Sequence, residues 1–215
     1  SGGDFSDCVA FTGETGQTSQ ADIRSLAADE ELFALTKLHF FKEIASDYLV
    51  PDHEFSRESF TDSQGTVLPY RLSLPENYDP SKKYPLVLFI HGLGARGNDN
   101  VKQLDTMGAA LLYYILNNST NCIIAAPQCP EGSQWVTSYP GDAGYTPKNV
   151  PMTAHLSAAK ELLDNIVSSR PVDTNRLYIC GSSNGAGAAW DLMCRYPSLF
   201  AAAIPVAGLR DGSNA

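Results

Sequence analysis

Residues 177–191 constrain the fold more than any other stretch, because they join an apolar run to a helix through a tight turn. Residues 177–180 are predicted to form a short buried strand, and the small residues after Gly185 favour a helix. Between them lies GSSNG, a G-x-S-x-G sequence. In this context the pentapeptide is typical of a nucleophile elbow, a sharp and strained turn that lifts a serine clear of the sheet. A glycine-rich turn with an incidental serine is the alternative, but the context favours Ser183 as a nucleophile.

A second glycine-containing turn, HGLG, follows the apolar run at residues 84–90, which is typical of a central strand. Folds with a nucleophile elbow place a backbone N–H that stabilises an oxyanion in such a turn. We assign this donor to Leu93, with Gly92 as the neighbouring alternative. The other donor is the N–H of Asn184, at the positive end of the helix after the serine. We interpret the ring of His91 as structural, holding its loop by hydrogen bonds.

Composition limits the class of protein. The 215 residues suffice for one globular core, and a formal net charge of −9 argues against nucleic-acid and anionic-membrane partners. No apolar run is long enough to span a bilayer. The five cysteines show no metal-binding spacing, so we expect neither a metal nor an organic cofactor. Their odd number leaves the redox compartment open, with Cys129 a candidate for a disulfide. A secreted or periplasmic location is preferred without a motif that requires it.

The chain divides into two predicted regions. Residues 1–50 are predicted to be a mostly helical extension docked on the main domain, and residues 51–215 to form that domain. Alternating side chains at residues 53–60 and 66–74 indicate an antiparallel hairpin. Apolar strands and amphipathic helices then alternate, at residues 84–90, 101–116, 122–126, 153–169, 177–180 and 200–206. This alternation indicates an α/β fold.

A long loop leaves the strand predicted at residues 122–126 and continues to residue 151. Long loops in compact domains are usually functional, and one at the carboxyl end of a central strand borders the active-site crevice. Trp135 lies in this loop and is assigned, with Gly92, to substrate binding. Packing of the indole beneath its own loop is an equally weighted alternative.

Six motifs occur in a consistent order: YPLVLFIHG from Tyr84, RGNDN from Arg96, APQCP from Ala126, GSSNG from Gly181, WDL from Trp190 and RYPSLFAAAIP from Arg195. Together they resemble the polyhydroxybutyrate-depolymerase-like esterase group of the α/β-hydrolase superfamily, over residues 55–215. The resemblance implies an α/β-hydrolase fold, with a doubly wound, mostly parallel sheet that begins with an antiparallel hairpin. It does not extend to residues 1–50.

The same resemblance implies a Ser-His-Asp triad in the chain order serine, acid, histidine. After Ser183 the acidic residues are Asp191 and Asp211, and there is no histidine. Asp191 matches a structural helix position of the family, and Asp211 comes too early for the acid. We therefore expect the catalytic acid and histidine to lie outside this chain, which would be an N-terminal portion without the C-terminal strands. An unusual base within the chain is the alternative, with His91 the first to test.

The predicted function is that of a serine hydrolase, a carboxylesterase that forms an acyl-enzyme on Ser183. The resemblance points to small-molecule or carbohydrate-linked esters, including aromatic ones. The expected partner is the C-terminal remainder of the same protein as a separate chain. A serine peptidase of the same fold is one alternative. A non-catalytic binding protein is another, if the chain ends at Ala215.

Overall fold

The computed structural model describes residues 54–105, 112, 121–138 and 145–207. The predicted helical extension at residues 1–50 and Asp211 lie outside these residues, as does most of the helix predicted at residues 101–116. Within the described part of the chain, no helix combines the length and apolarity needed to cross a bilayer.

Within the described residues, six strands form one mixed sheet in the order β1-β2-β4-β3-β5-β6. Their bounds are β1 Ser56–Thr61, β2 Val67–Ser73, β3 Tyr84–Ile90, β4 Ile123–Pro127, β5 Val172–Ser182 and β6 Ala202–Val206. Strand β2 pairs antiparallel with β1 and β4, whereas β3 pairs parallel with β4 and β5, and β5 with β6. The predicted hairpin and the mostly parallel sheet that follows it are confirmed.

Strand β5 begins at Val172, earlier than the apolar run at residues 177–180 predicts. Val172 pairs with Tyr84, and an irregularity in the register precedes the pairing of Leu86 with Leu177. The residues from 173 to 176 are exposed or half-buried and carry no apolar pattern. Only the residues on either side of this segment pair with β3, so the early start of β5 depends on the pairing of Val172 with Tyr84, which the local sequence does not show.

The described helices are α1 (Lys102–Asp105), α2 (Ala154–Ser169) and α3 (Asn184–Arg195), with a 3-10 helix at Leu93–Ala95. Thr153 caps α2, because its hydroxyl accepts a hydrogen bond from the N–H of Leu156 at 3.1 Å. Most apolar positions of α2 that the helical spacing predicts to face inward are buried, including Leu162 and Ile166, whereas Val167 is half-buried. Helix α2 is therefore the predicted crossover between β4 and β5.

The core lies on both faces of the sheet because side chains alternate along β3. Leu86 and Leu88 pack in one cluster with the buried faces of α2 and α3. Val87 and Phe89 pack in a second cluster that includes Leu104. A strand covered on both faces reads as a continuous apolar run, which is why β3 is recognisable in the sequence.

Strand β6 lies at one edge of the sheet described here. It matches the apolar run predicted at residues 200–206, although its side chains are more exposed than a buried strand implies. Ile204 is 51% exposed and Val206 is 45% exposed. Its inner edge is fixed to β5 from Tyr178 to Ser182 by parallel pairing.

Candidate active site

Ser183 stands at the junction of β5 and α3, in a backbone conformation that few non-glycine residues adopt. Its φ is 52° and its ψ is −119°. Its carbonyl accepts hydrogen bonds from Ala186 N at 2.9 Å and Gly187 N at 3.1 Å, which begin the helix, while its N–H donates to Val206 O at 2.9 Å. The turn is therefore fastened to both α3 and β6. The strained strand–turn–helix predicted from the GSSNG sequence is present.

Two glycines allow α3 to pack at backbone distance from the sheet. A Cβ at Gly185 would lie 2.6 Å from His91 O and closer still to Ile90 O. A Cβ at Gly181 would lie 2.9 Å from Ile90 O and closer to Gly185 O. Since real Cβ atoms do not come within 3.0 Å of such atoms, neither position accepts a side chain without a shift of the backbone. Both glycines of the elbow thus have the packing role that the sequence predicts.

The turn after β3 lies against Ser183. A Cβ added to Gly92 would be 3.2 Å from Ser183 Cβ and 3.2 Å from Ser182 O. Gly92 precedes the 3-10 helix that begins at Leu93, and Asn184 is the first residue of α3. N–H groups in the first turn of a helix are directed out of its N-terminal end, which favours negative charge there. The structure thus brings together two helix starts beside the serine.

The His91 ring is fully buried and fastened to the backbone by both nitrogens. Cys129 N donates to Nε2 at 2.9 Å, so Nε2 is the acceptor and Nδ1 carries the proton. Nδ1 then donates to Gly92 O at 2.6 Å. Burial lowers the pKa of His91 to about 4, against the raising effect of the Gly92 hydrogen bond. This ring supports the loop and is not placed to accept a proton from Ser183, which argues against the alternative of His91 as the base.

Trp135 packs beneath its loop and does not line a surface pocket. Its side chain is 1% exposed and meets the His91 ring edge-on, with ring centres 5.2 Å apart. The indole N–H donates to His91 O at 2.9 Å. The assignment of Trp135 to direct substrate contact is therefore corrected to the packing alternative, because almost no indole surface is accessible.

Two of the sequence motifs, RGNDN and APQCP, are joined by the hydrogen bonds of Gln128, which is fully buried. Its Oε1 accepts from Asn100 N at 2.6 Å, and its Nε2 donates to Asp99 Oδ1 at 2.8 Å and to Ala95 O at 3.2 Å. Asp99 Oδ1 also accepts from Val101 N at 2.8 Å and from Lys102 N at 3.1 Å, at the start of α1. The RGNDN and APQCP motifs thus form one hydrogen-bonded unit behind the HGLG turn.

Arg96 is a supporting residue that sequence reasoning misses. Its Nε donates to Leu93 O at 2.8 Å and its Nη1 donates to Ser133 O at 3.0 Å. Gly97 N donates to Cys129 O at 3.0 Å alongside. The RGNDN motif marked this stretch, but the motif alone does not show that the guanidinium spans two loops.

Asp191 lies on α3 in a buried cluster of its own. Its carboxylate binds Arg195 Nε at 2.6 Å and accepts a hydrogen bond from the Tyr145 hydroxyl. Arg195 also donates to Pro147 O at 2.6 Å and to Val150 O. Burial, then the Asp191 carboxylate, raises the pKa of Tyr145. This cluster ties the segment after residue 145 to α3, as suits the structural position expected of Asp191. Its sequence signal is an acid four residues before an arginine.

Among the described residues, no group of three or more His, Cys, Asp or Glu side chains could hold a metal ion. Cys129 is a buried free thiol whose pKa is raised to about 12 by burial. The candidate disulfide at Cys129 is therefore wrong in this structure, because the residue faces the core and not an open loop.

The comparisons with known proteins agree with this geometry. The family model named Esterase, described as "Putative esterase", matches residues 62–215. A solved thermostable esterase is 35% identical, with a TM-score of 0.63 over 74% of this chain and 42% of its own. No curated protein matches the sequence significantly.

Two more distant solved structures show the fold alone. A ferulic acid esterase is 19% identical, with a TM-score of 0.50 over 69% of this chain and 58% of its own. An S-formylglutathione hydrolase from Staphylococcus aureus is 15% identical, with a TM-score of 0.51 over 72% of this chain and 57% of its own. The chain thus spans 42% to 58% of the length of these three proteins. The α/β-hydrolase fold predicted from the sequence is confirmed, and the chain belongs to the Esterase family of that fold.

Proposed function

We propose that this chain supplies the nucleophile and the oxyanion-binding turns of a serine esterase. The observation that carries the proposal is the strained backbone of Ser183, with the turn at Gly92 so near that a Cβ added there would lie 3.2 Å from Ser183 Cβ. Membership of the Esterase family and 35% identity to a solved esterase support an ester as the substrate. Strain at a non-glycine residue persists only where the surrounding structure imposes it, and it concentrates at active sites.

The proposed reaction is acyl transfer to Ser183 and then to water. The serine Oγ attacks the carbonyl carbon of the ester while its proton passes to an imidazole. The tetrahedral intermediate collapses, the bond to the alkoxy oxygen breaks, and the alcohol leaves with that proton. Water then attacks the acyl-enzyme, releasing the carboxylic acid and restoring the serine.

The backbone N–H groups of Asn184 and Leu93 are the proposed oxyanion donors. Each begins a helix, and the two helix starts are neighbours because Gly92 leaves no room for a side chain between itself and Ser183. One such donor is typically worth about 3 kcal/mol of the barrier. Gly92 has no side chain beside the serine, which leaves room there for the substrate and supports its proposed role in substrate binding.

The acid and the imidazole are proposed to come from outside the described residues. His91 uses both ring nitrogens on the backbone. His155 lies in the first turn of α2, where burial lowers its pKa and Asp62 of the hairpin turn is its acidic neighbour. Asp191 is held by Arg195. A C-terminal remainder, on a separate polypeptide or the same one, is the proposed source.

The proposed substrates are small-molecule or carbohydrate-linked esters, including esters of aromatic acids. This class comes from the family resemblance, and no feature of the described site selects one acyl group. A net charge of −9 supports the exclusion of nucleic acid and anionic membrane as partners.

A fluorophosphonate probe on the intact protein tests the proposal directly. We expect covalent labelling that Ser183→Ala abolishes. Ser182→Ala is the matched control, because this neighbouring serine is also half-buried but belongs to β5, and labelling should persist. A protein that resists the probe and leaves p-nitrophenyl esters intact would refute the esterase and favour a binding protein. Faster cleavage of peptide anilides than of esters would favour a peptidase.

A further inference from the structure

Trp135 contacts both turns that carry the proposed oxyanion donors. Its backbone N–H donates to the side-chain Oδ1 of Asn184 at 2.8 Å. Its indole N–H donates to the carbonyl of His91 at 2.9 Å. One residue of the loop after β4 thus connects the elbow, from β5 and α3, to the HGLG turn, from β3. We call these two hydrogen bonds the Trp135 bridge.

The Trp135 bridge is held from outside by three further contacts. Asn184 Nδ2 donates to Val136 O at 3.0 Å, so its amide engages two consecutive residues as a neighbouring strand would. Thr153 Oγ1 donates to Trp135 O at 2.7 Å and at the same time caps α2. The indole edge rests on the His91 ring. Trp135 therefore cannot move without α2, α3 or His91.

The atoms that the bridge holds are next to the donors themselves. The His91 carbonyl belongs to the peptide just before the one that contains the Leu93 N–H. The Asn184 amide belongs to the residue whose own N–H is the other donor. Donors must lie within about 2.7–3.1 Å of the developing oxyanion, so their separation has to be set to a few tenths of an ångström.

We propose that Trp135 is a positioning residue that sets the separation of the two oxyanion donors. The proposal rests on the proposed function, and it replaces direct substrate contact as the role of this tryptophan. It predicts that Trp135 affects stabilisation of the tetrahedral intermediate more than it affects binding of the substrate.

The test is Trp135→Phe in the intact protein, which keeps an aromatic ring but removes the indole N–H together with part of the bicyclic ring. We expect kcat on a p-nitrophenyl ester to fall by about 10-fold to 100-fold, with KM changed by less than about 2-fold. The affinity for phenylboronic acid, which forms a tetrahedral adduct with an active serine, should fall by the same factor as kcat/KM. Trp190→Phe is the matched control, since this other tryptophan is 41% exposed, and its kinetics should equal those of the wild type.

A second variant covers the case in which Trp135→Phe does not fold. Asn184→Ala keeps the backbone N–H of residue 184 without adding charge but removes the acceptor for Trp135 N and the donor to Val136 O, and it should give the same kcat-dominated loss. A melting temperature that falls while kcat and boronate affinity stay at wild-type values would overturn the positioning role and leave the proposed function standing. A wild-type protein that neither hydrolyses esters nor binds the boronate would overturn both.

Discussion

Gly185→Ala is the sharpest test of how α3 packs on the sheet. The added Cβ would lie 2.6 Å from His91 O, whereas ordinary van der Waals contact begins at 3.4 Å. The backbone must therefore open by at least 0.8 Å there, and by more at Ile90 O. Because both oxygens belong to the backbone, neither can move away from the added Cβ by rotation of a side chain.

The magnitude follows from two opposing effects. Alanine is favoured over glycine in a helix by about 1 kcal/mol. Overpacking costs about 1–3 kcal/mol where side chains can adjust, and more where they cannot. We therefore expect a net loss of about 2 kcal/mol or more in the free energy of unfolding. The same displacement moves Ser183 away from the Gly92 turn, and a misplacement near 1 Å can cost about 100-fold in rate.

The assay pairs urea denaturation with the rate of fluorophosphonate labelling. Gly94→Ala serves as the control, because a Cβ there meets nothing within 4 Å among the described residues. It should leave the free energy of unfolding close to that of the wild type. If Gly185→Ala were as stable as Gly94→Ala and labelled as fast as the wild type, the backbone contact of α3 with β3 could not be what positions the serine.

Three further predictions concern the supports of the site. The folded pKa of His91 is about 4 and that of an unfolded histidine is near 6.5, so the unfolded state binds more protons between these pH values. The free energy of unfolding should therefore fall by about 3 kcal/mol as the pH drops from 6.5 to 4. In pH-dependent denaturation, His91→Gln should flatten that slope. Asp191→Asn breaks a buried ion pair and should lower the free energy of unfolding by about 3–5 kcal/mol. Asp173→Asn breaks an exposed pair and should lower it by less than about 1 kcal/mol. Equal losses would contradict the argument that burial makes the Asp191 pair the more important one. In Arg96→Lys, a single ammonium group cannot bind two carbonyls in the fork geometry of the guanidinium. The rate of probe labelling should therefore fall by about 10-fold. An unchanged rate would exclude a role for Arg96 in holding Leu93.

The features that the sequence predicts are those whose geometry depends on neighbouring residues. The elbow needs glycines two residues before and after Ser183, because backbone atoms fill the space where side chains would lie. The central strand β3 is a continuous apolar run because both of its faces are covered. In each case the fold imposes a requirement on neighbouring residues, so the local sequence pattern is enough to predict the feature.

The features that the sequence leaves open depend on contacts far apart in the chain. Trp135 could have faced solvent or core, and its burial is decided by His91, 44 residues earlier, and Asn184, 49 residues later. Likewise, the early start of β5 is decided by pairing with Tyr84. Nothing in the residues around Arg96 shows that its guanidinium reaches Ser133. Such choices require the positions of the partners, which one sequence does not contain.

The backbone conformation of Ser183 has a consequence for the evolution of this protein. A positive φ at a serine costs about 1–3 kcal/mol, and a glycine at the same place would relieve most of it. If selection on catalysis were relaxed, the first substitution to become fixed at this turn should be Ser183→Gly. It would remove the hydroxyl and stabilise the fold at the same time. Ser183→Gly should then have a higher melting temperature than Ser183→Ala, although both lack the proposed nucleophilic hydroxyl, so that an inactive relative with glycine at this turn is expected to be the more stable protein.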